Sequence, residues 1–310
     1  MATLQTDKGS RQARAALIRT RETSDAQRTQ TTGRVYRLAR SRGIGYAVSE
    51  FSHACLIRLI DYPEMPLRIS TREIVKAGHS TLLVRTELPI GNRLVPVAYK
   101  RVRRRNWLKS LTVLFRTNRT FRTWQLGHAL LNRGIATARP LAVITSRRHE
   151  MGRPTFLAAE WIEGALDLYA YSQWIDQLPP WLRTDRLKAA AESLGRLVGR
   201  MHARNVSHRD LKSGNLLLVD RGPTVKAYVI DLDGAALRKR VPRSLRLRNL
   251  TRLVIGLKSC AHIQNSIRLR FLKAYLLEVG DDSWQWKDVW RQLATLSDAR
   301  SARKQKKVGR

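Results

Sequence analysis

The sequence predicts an α+β chain on three observations. Short β-rich runs fill the stretch from Ser70 to Lys100, one helical segment at 120–133 is followed by two more strands, and the sequence beyond Gly164 is mainly helical. A small antiparallel sheet with one helix should therefore precede a helical part. With 310 residues, 43% of them hydrophobic, the chain can build one large core or two smaller ones.

Residues 1–35 are rich in Thr, Arg, Gln and Ser with few large apolar groups, so ordering them would not be offset by burial, and a disordered basic tail is expected. The composition also suits a transit peptide, against which Asp7, Glu22 and Asp25 speak. Residues 36–68 read as an N-terminal extension. In 69–160, Ile74-Val75, Leu82-Leu83-Val84 and Val95 to Lys100 form a three-stranded meander, with turns at Gly78-His79-Ser80 and Gly91-Asn92. Phe121, Trp124, Ala129 and Leu130 then mark a helix, and strands follow near 141–145 and 155–160. In 161–298 the spacing of Leu187, Leu194, Leu197, Val198 and Met201 predicts a helix over 185–205. Behind it, Leu216 to Val219 and Lys226 to Asp231 form a hairpin around Asp220-Arg221-Gly222-Pro223. Residues 299–310 read as a frayed basic tail.

Cys55 and Cys260 stand far apart, which excludes a disulfide framework or a Cys-ligand zinc cluster and points to a reducing compartment. No apolar run reaches the ~18 residues that span a bilayer.

Chemistry concentrates in His208-Arg209-Asp210-Leu211-Lys212-Ser213-Gly214-Asn215 and, across the hairpin, Ile230-Asp231-Leu232-Asp233-Gly234. The pair resembles the catalytic loop and metal-binding Asp of protein-kinase-like enzymes. Phosphoryl transfer from ATP needs a carboxylate to orient and deprotonate an acceptor hydroxyl, a cation beside the moving group and oxygen ligands for Mg²⁺. Asp210, Lys212 and the pair Asn215 with Asp231 supply these in turn. Asp231 and Asp233, two apart on the expected strand, would share a face roughly 7 Å apart, with Asp233 an auxiliary metal ligand.

Val97-Ala98-Tyr99-Lys100 resembles the kinase Val-Ala-Ile-Lys, which implies an ammonium on the α- and β-phosphates at Lys100. Gly78, Ser80 and Thr81 offer a reduced phosphate loop without GxGxxG, and the strand end at Glu160 and Ile162 is placed to bind adenine. No Asp or Glu occurs between Glu87 and Glu150, so the helix at 120–133 lacks the usual carboxylate partner for the lysine; Gln125, Thr123 or Asp231 remain as partners.

Several segments together resemble the bacterial lipopolysaccharide kinase family of the Kdo/WaaP type over roughly residues 70–280. They are Lys76 to Thr81, Tyr99-Lys100, Leu130 to Ala142, Ser207 to Lys212 and Ile230 to Gly234. The resemblance implies a two-lobed protein-kinase-like fold that uses ATP and Mg²⁺ to phosphorylate a sugar hydroxyl of a lipid-linked saccharide such as the lipopolysaccharide inner core. After Asp231 there is no Ala-Pro-Glu and no room for a long activation segment, which argues against a peptide acceptor. Two alternatives stand beside this reading: a catalytically weak pseudokinase scaffold at an anionic surface, and a kinase acting on protein or a small metabolite.

The formal net charge of +35 calls for an anionic partner. Fourteen Lys or Arg lie between Glu87 and Glu150 and eleven between Asp233 and Glu278, with no acid in either interval. An anionic glycolipid acceptor and peripheral contact with the inner leaflet of the cytoplasmic membrane fit that density. A nucleic-acid role finds no accompanying motif. At 245–258, Leu247, Leu250, Leu253, Val254 and Leu257 share a helical face, which suits either a helix lying on a bilayer or one packed into the helical part. Trp284, Trp286 and Trp290 read as core. The oligomeric state has no signal in the sequence.

Overall fold

The computed structural model describes residues 35–70, 72–103, 118–145, 154–222, 224–257 and 263–308. The basic segment at 1–34, Cys260 and the side chains beyond residue 302 lie outside the described residues. The chain divides into two compact units, Met1–His128 with Pro140–Glu160 and Ala129–Arg139 with Trp161–Arg310.

The first unit is a seven-stranded antiparallel sheet flanked by helices. Its elements are β1 (Val35–Arg40), β2 (Gly43–Val48), α1 (His53–Asp61), β3 (Glu73–Ala77), β4 (Thr81–Ile90), β5 (Arg93–Val102), the start of α2 (Arg119–Asn132), β6 (Pro140–Thr145) and β7 (Thr155–Glu160). The strand order is β1-β2-β6-β7-β5-β4-β3. The three-stranded meander, the helix and the two later strands lie where their periodicity placed them.

Residues 36–68 are not an appendage, which corrects the sequence expectation. The β1–β2 hairpin joins the sheet through β2 and β6, with Tyr46 opposite Val143. Helix α1 starts at Ser52, whose hydroxyl accepts the Cys55 N–H at 3.1 Å, and buries Leu56, Leu59 and Ile60. Gly45 allows the approach, because a Cβ there would sit 2.8 Å from Leu56 Cδ1 and 2.9 Å from Ile60 Cδ1. One core unites α1 with Val84, Leu88, Val97, Tyr99, Leu141 and Phe156, each such side chain contributing roughly 1.5–3 kcal/mol on burial.

The second unit contains the end of α2, β8 (Ala165–Asp167), α3 (Leu168–Asp176), α4 (Pro180–Ala203), β9 (Val206–His208), β10 (Leu216–Arg221), β11 (Thr224–Val229), β12 (Ala235–Leu237), α5 (Arg243–Gly256), α6 (Asn265–Val279) and α7 (Trp286–Val308). Asp167 caps α3 by accepting the N–H groups of Tyr169 and Ala170 at 3.0 and 2.8 Å. Strands β8, β9 and β12 have three residues each, too few to show a period in sequence.

Helices α4 and α6 pack with backbones in near contact. A Cβ at Gly195 would meet Phe271 O at 2.4 Å, and one at Gly199 would meet Tyr275 O at 2.6 Å. Of the two readings for α5, the packed one holds: Leu247, Leu250 and Leu253 are buried. Trp284 is buried, whereas Trp286 and Trp290 are half-buried at the edge of the core. The segment at 299–308, expected to fray, continues α7, since Ala, Arg, Lys and Gln propagate a helix and no Gly or Pro interrupts before Gly309. Among the described residues no helix is long and apolar enough to cross a membrane.

Candidate active site

The second unit gathers Asp210, Lys212, Asn215 and Asp231 by backbone pairing. Strands β10 and β11 put Leu216 opposite Val229, and the Ile230 N–H donates to Asn215 O at 2.9 Å, so Asp231 follows directly beside Asn215. Strands β9 and β12 pair His208 with Ala235, and the Arg209 N–H donates to Gly234 O at 2.8 Å. The segment from Asp231 to Gly234 is thereby laid along the loop that carries Asp210. Gly234 eases the close approach: a Cβ would stand 3.2 Å from His208 Cε1 and 3.3 Å from Asp210 Cβ.

Within the loop the Asn215 amide nitrogen donates to Asp210 O at 2.8 Å and to Asp210 Oδ2 at 3.2 Å. Its carbonyl oxygen is thus turned to face away from Asp210. Lys212 Nζ lies 3.1 Å from Asp210 Oδ2, with both side chains about half exposed, so the pair organises charge more than it stabilises the fold. Partial burial pushes the Asp210 carboxyl up, but Lys212 and Asn215 outweigh it and hold the group below its ordinary range. The carboxylate is therefore ionised at neutral pH.

Asp231 and Asp233 do not share a strand face, contrary to the sequence expectation. Strand β11 ends at Val229, Asp231 adopts the left-handed conformation at φ 54° and ψ 58°, and Leu232–Gly234 forms a 3-10 turn. A non-glycine residue pays about 1–2 kcal/mol for that conformation, which aspartate bears better than most. The turn breaks the period of two that a strand would give, and Asp231 follows Ile230, whose N–H donates to Asn215 O.

The first unit carries Lys100, Gly78, Ser80, Thr81 and Glu160. The period that buries Val97 and Tyr99 on the α1 side puts Lys100 on the opposite face. Cross-strand register runs Tyr46, Val143, Leu157, Lys100 and Leu83 along that face. Helix α2 lies on the same face, its Phe121 and Trp124 rings 4.7 and 5.9 Å from that of Tyr46. The position of the helix agrees with the kinase-like reading, although α2 supplies no carboxylate.

The reduced loop is a tight hairpin. Gly78 N–H donates to Thr81 O at 2.9 Å and Thr81 N–H to Gly78 O at 3.3 Å, leaving His79 and Ser80 as a two-residue turn. Glu160 ends β7 opposite Val97, and Ile162 begins a turn in which its carbonyl accepts the Ala165 N–H at 3.3 Å.

The residues that hold the catalytic loop escaped sequence reasoning. Asn249 on α5, fully buried, accepts the His208 N–H on Oδ1 at 3.0 Å, and the same oxygen meets His202 Nε2 at 3.2 Å. His202 Nε2 is therefore the protonated nitrogen, and Nδ1, 2.9 Å from the Tyr275 hydroxyl, accepts from it. Burial drives His202 down to about 4, so the ring is neutral. A polar residue four positions before Leu253, on the apolar face of α5, was the available signal. His208 itself is buried and accepts the Asp210 N–H on Nδ1 at 3.2 Å.

Comparisons with known proteins bear on the family and the fold. A family model described as the lipopolysaccharide kinase (Kdo/WaaP) family matches residues 96–275, more than half of the chain. The lipopolysaccharide core heptose(I) kinase WaaP of Pseudomonas aeruginosa is 30% identical over 158 residues, covering 49% of this chain and 57% of that protein. The 3-deoxy-D-manno-octulosonic acid kinase of Xanthomonas campestris is 32% identical over 135 residues, covering 44% and 48%. The chain thus spans about half the length of the curated relatives it matches. A solved structure of WaaP in complex with acyl carrier protein superposes with a TM-score of 0.51 at 23% identity over 74% of this chain and 88% of that one, which shows a shared protein-kinase-like fold. Because the matched span takes in Lys100, the loop from His208 to Asn215 and Asp231, the chain belongs to the lipopolysaccharide kinase (Kdo/WaaP) family.

Proposed function

We propose that this chain transfers the γ-phosphoryl group of ATP to a sugar hydroxyl of a lipid-linked saccharide. The observation that carries the reading is the Asp210–Lys212–Asn215 constellation with Asp231 locked beside it, in a chain of a sugar-kinase family. Asp210 orients the acceptor hydroxyl and takes its proton. Lys212, paired with Asp210 at rest, offsets charge on the moving phosphoryl group. Lys100 holds the α- and β-phosphates, Gly78, Ser80 and Thr81 cover the nucleotide, and the backbone at Glu160 and Ile162 takes the adenine.

The donor set fits Mg²⁺. Asn215 commits its amide nitrogen to Asp210 and keeps its oxygen, and Asp231 adds a carboxylate, both hard oxygen ligands. Bound there, Mg²⁺ would neutralise phosphate charge; Asn215 and Asp231 would hold it, with Asp233 at most auxiliary.

The basic surface supports work at the cytoplasmic face of an anionic membrane, where each nearby Lys or Arg is worth about 1 kcal/mol. Acyl carrier protein, the partner in the WaaP structure, suggests a second partner class. In its favour the second unit holds an apolar cavity of about 350 Å³ among α3 to α7, lined by Leu194, Leu250, Leu253 and Phe271, which suits a hydrocarbon chain.

The test incubates the purified chain with γ-labelled ATP, Mg²⁺ and fractionated envelope glycolipid. Label is expected in the lipid extract. Label in protein or in the aqueous fraction instead would move the acceptor to a polypeptide or a metabolite, and Mg-ATP binding without transfer would make the chain a scaffold.

A further inference from the structure

On the outward side of α6, positive charge is joined to bare apolar surface. The helix meets α4 through Phe271, Ala274, Tyr275 and Glu278, whose backbone or Cβ atoms crowd Gly195 and Gly199, so Lys273 and Leu277, one turn apart, share a face turned away from α4. Leu277 is 77% exposed, the highest value of any large hydrophobic side chain among the described residues. Trp286, the first residue of α7, borders the same face. Its half-buried ring has the Lys273 ammonium 5.8 Å from its centroid and the Lys287 ammonium at the same distance.

The two lysines are surplus charge, because the carboxylates around them are held by arginines. Glu192 pairs with Arg270, Glu278 with Arg200 at 2.9 Å, Asp281 with Arg243 at 2.6 Å and Asp288 with Arg291 at 3.3 Å. Among the described residues Lys273 and Lys287 enter no ion pair. Solvation alone accounts for two exposed lysines, but it does not account for a leucine and an indole left beside them in water. That combination suits a membrane–water interface, where an indole sits at headgroup depth, an aliphatic side chain reaches the acyl boundary, and lysine stems lie along apolar surface with their charges still wet.

We propose that Lys273, Leu277, Trp286 and Lys287 dock the chain on an anionic bilayer, with Leu277 and Trp286 entering the headgroup layer and the two lysines on lipid phosphates. This rests on the membrane reading above and deepens it, since it replaces a diffuse attraction by one face. Charge without insertion gives binding that salt abolishes, whereas inserted apolar groups keep part of the affinity when the charges are screened. The face also orients the second unit. Helix α6 packs on α4 through Gly195 and Gly199, and α4 leads directly into β9 and the loop of Asp210, so docking through α6 fixes how that loop is presented to a hydroxyl carried by the bilayer.

Two measurements test it. In the first, the full-length chain is sedimented with vesicles of phosphatidylcholine and phosphatidylglycerol, without nucleotide or acceptor. L277Q and the double variant K273Q/K287Q change exposed positions only, and each should need about tenfold more lipid for half-binding, L277Q also at high salt. Two controls should bind as the parent does: L94Q, at a position 63% exposed in the first unit, and K226Q/K239Q, which removes the same charge elsewhere on the second. Equal lipid demand in all five chains overturns this face and leaves the membrane reading standing. A parent chain that does not bind overturns both.

In the second, brominated lipid is incorporated in the vesicles and tryptophan emission is followed. Quenching should be seen in the parent chain and be smaller in W286F; equal quenching in both overturns the insertion of Trp286. Polyglutamate, an acidic polypeptide with no apolar phase, separates the remaining case. If only K273Q/K287Q weakens vesicle binding, and weakens polyglutamate binding equally, the face reads acidic polypeptide and its assignment to the bilayer falls. Because neither nucleotide nor acceptor is present, a chain that phosphorylates no glycolipid but passes these tests overturns the kinase reading and upholds the docking face.

Discussion

The two units position their functional residues by different means. In the first, sheet register sets the face on which Lys100 stands: five strands must pair correctly for Tyr46, Val143, Leu157, Lys100 and Leu83 to line one face. In the second, Asp210 and Asn215 are tied by particular hydrogen bonds, Asp231 follows Ile230, whose N–H donates to Asn215 O, and Asn249 and His202 lie beneath the loop. A sheet tolerates change at any one side chain because its backbone ladder persists. A loop held by a few buried polar contacts does not, because losing one partner strands another group without water.

The strongest contrast is expected at the base. Asp210→Asn should lower kcat for phosphoryl transfer by about 10²–10⁴-fold. The thermal midpoint should barely move, because the Asp210 side chain is half exposed and its pair with Lys212 contributes little. Retained turnover in a purified assay would remove Asp210 from its role.

Next in size, Asn249→Leu should cost about 1–3 kcal/mol for each buried group it strands, the His208 N–H and the His202 ring, and should lower kcat as the loop loosens. Urea unfolding with parallel kinetics checks both. A loss confined to stability would show that α5 supports the fold without ordering the loop.

His202 gives the second unit a pH dependence below neutrality. Its folded-state value of about 4 lies below the 6.5 of an unperturbed imidazole, so the unfolded chain binds the proton first as pH falls. Stability should be complete above pH 6.5 and decline toward pH 4, by on the order of 3 kcal/mol in all. His208, also pushed down by burial, acts in the same direction. His202→Gln should flatten the fall in thermal midpoint between pH 6.5 and 4; an unaltered slope would place the effect elsewhere.

The smallest effect sharpens the comparison through glycine. Gly234→Ala crowds His208 and Asp210 and should cost about 1–3 kcal/mol together with activity. Gly78→Ala, in the reduced loop of the first unit, meets only Thr81 O at an ordinary 3.6 Å and should change KM for Mg-ATP less than about twofold. A large effect at Gly78 would mean that the nucleotide needs the backbone bare there.

The legibility of the chain follows the range of its interactions. The meander from Glu73 to Val102 and helix α2 were readable because their periods and turns are local. Hairpin β1–β2 was not: its turn, Ser41-Arg42, lacks the usual glycine or asparagine, and β6, its partner in the sheet, is about a hundred residues away. At the site, Asp210, Lys212 and Asn215 were readable from their spacing within one short loop. The relation of Asp231 to Asp233 was misjudged because a left-handed residue ended the strand early.

Composition and short-range spacing decided that this chain is an α+β protein with Asp210, Lys212 and Asn215 gathered in one short loop and a large excess of positive charge, since those properties reside in neighbouring residues. Tertiary packing alone decided that residues 36–68 complete the sheet and that Asn249 and His202 brace the loop from below. Each of these depends on contacts between segments tens of residues apart, and no local pattern encodes which surfaces will be buried together.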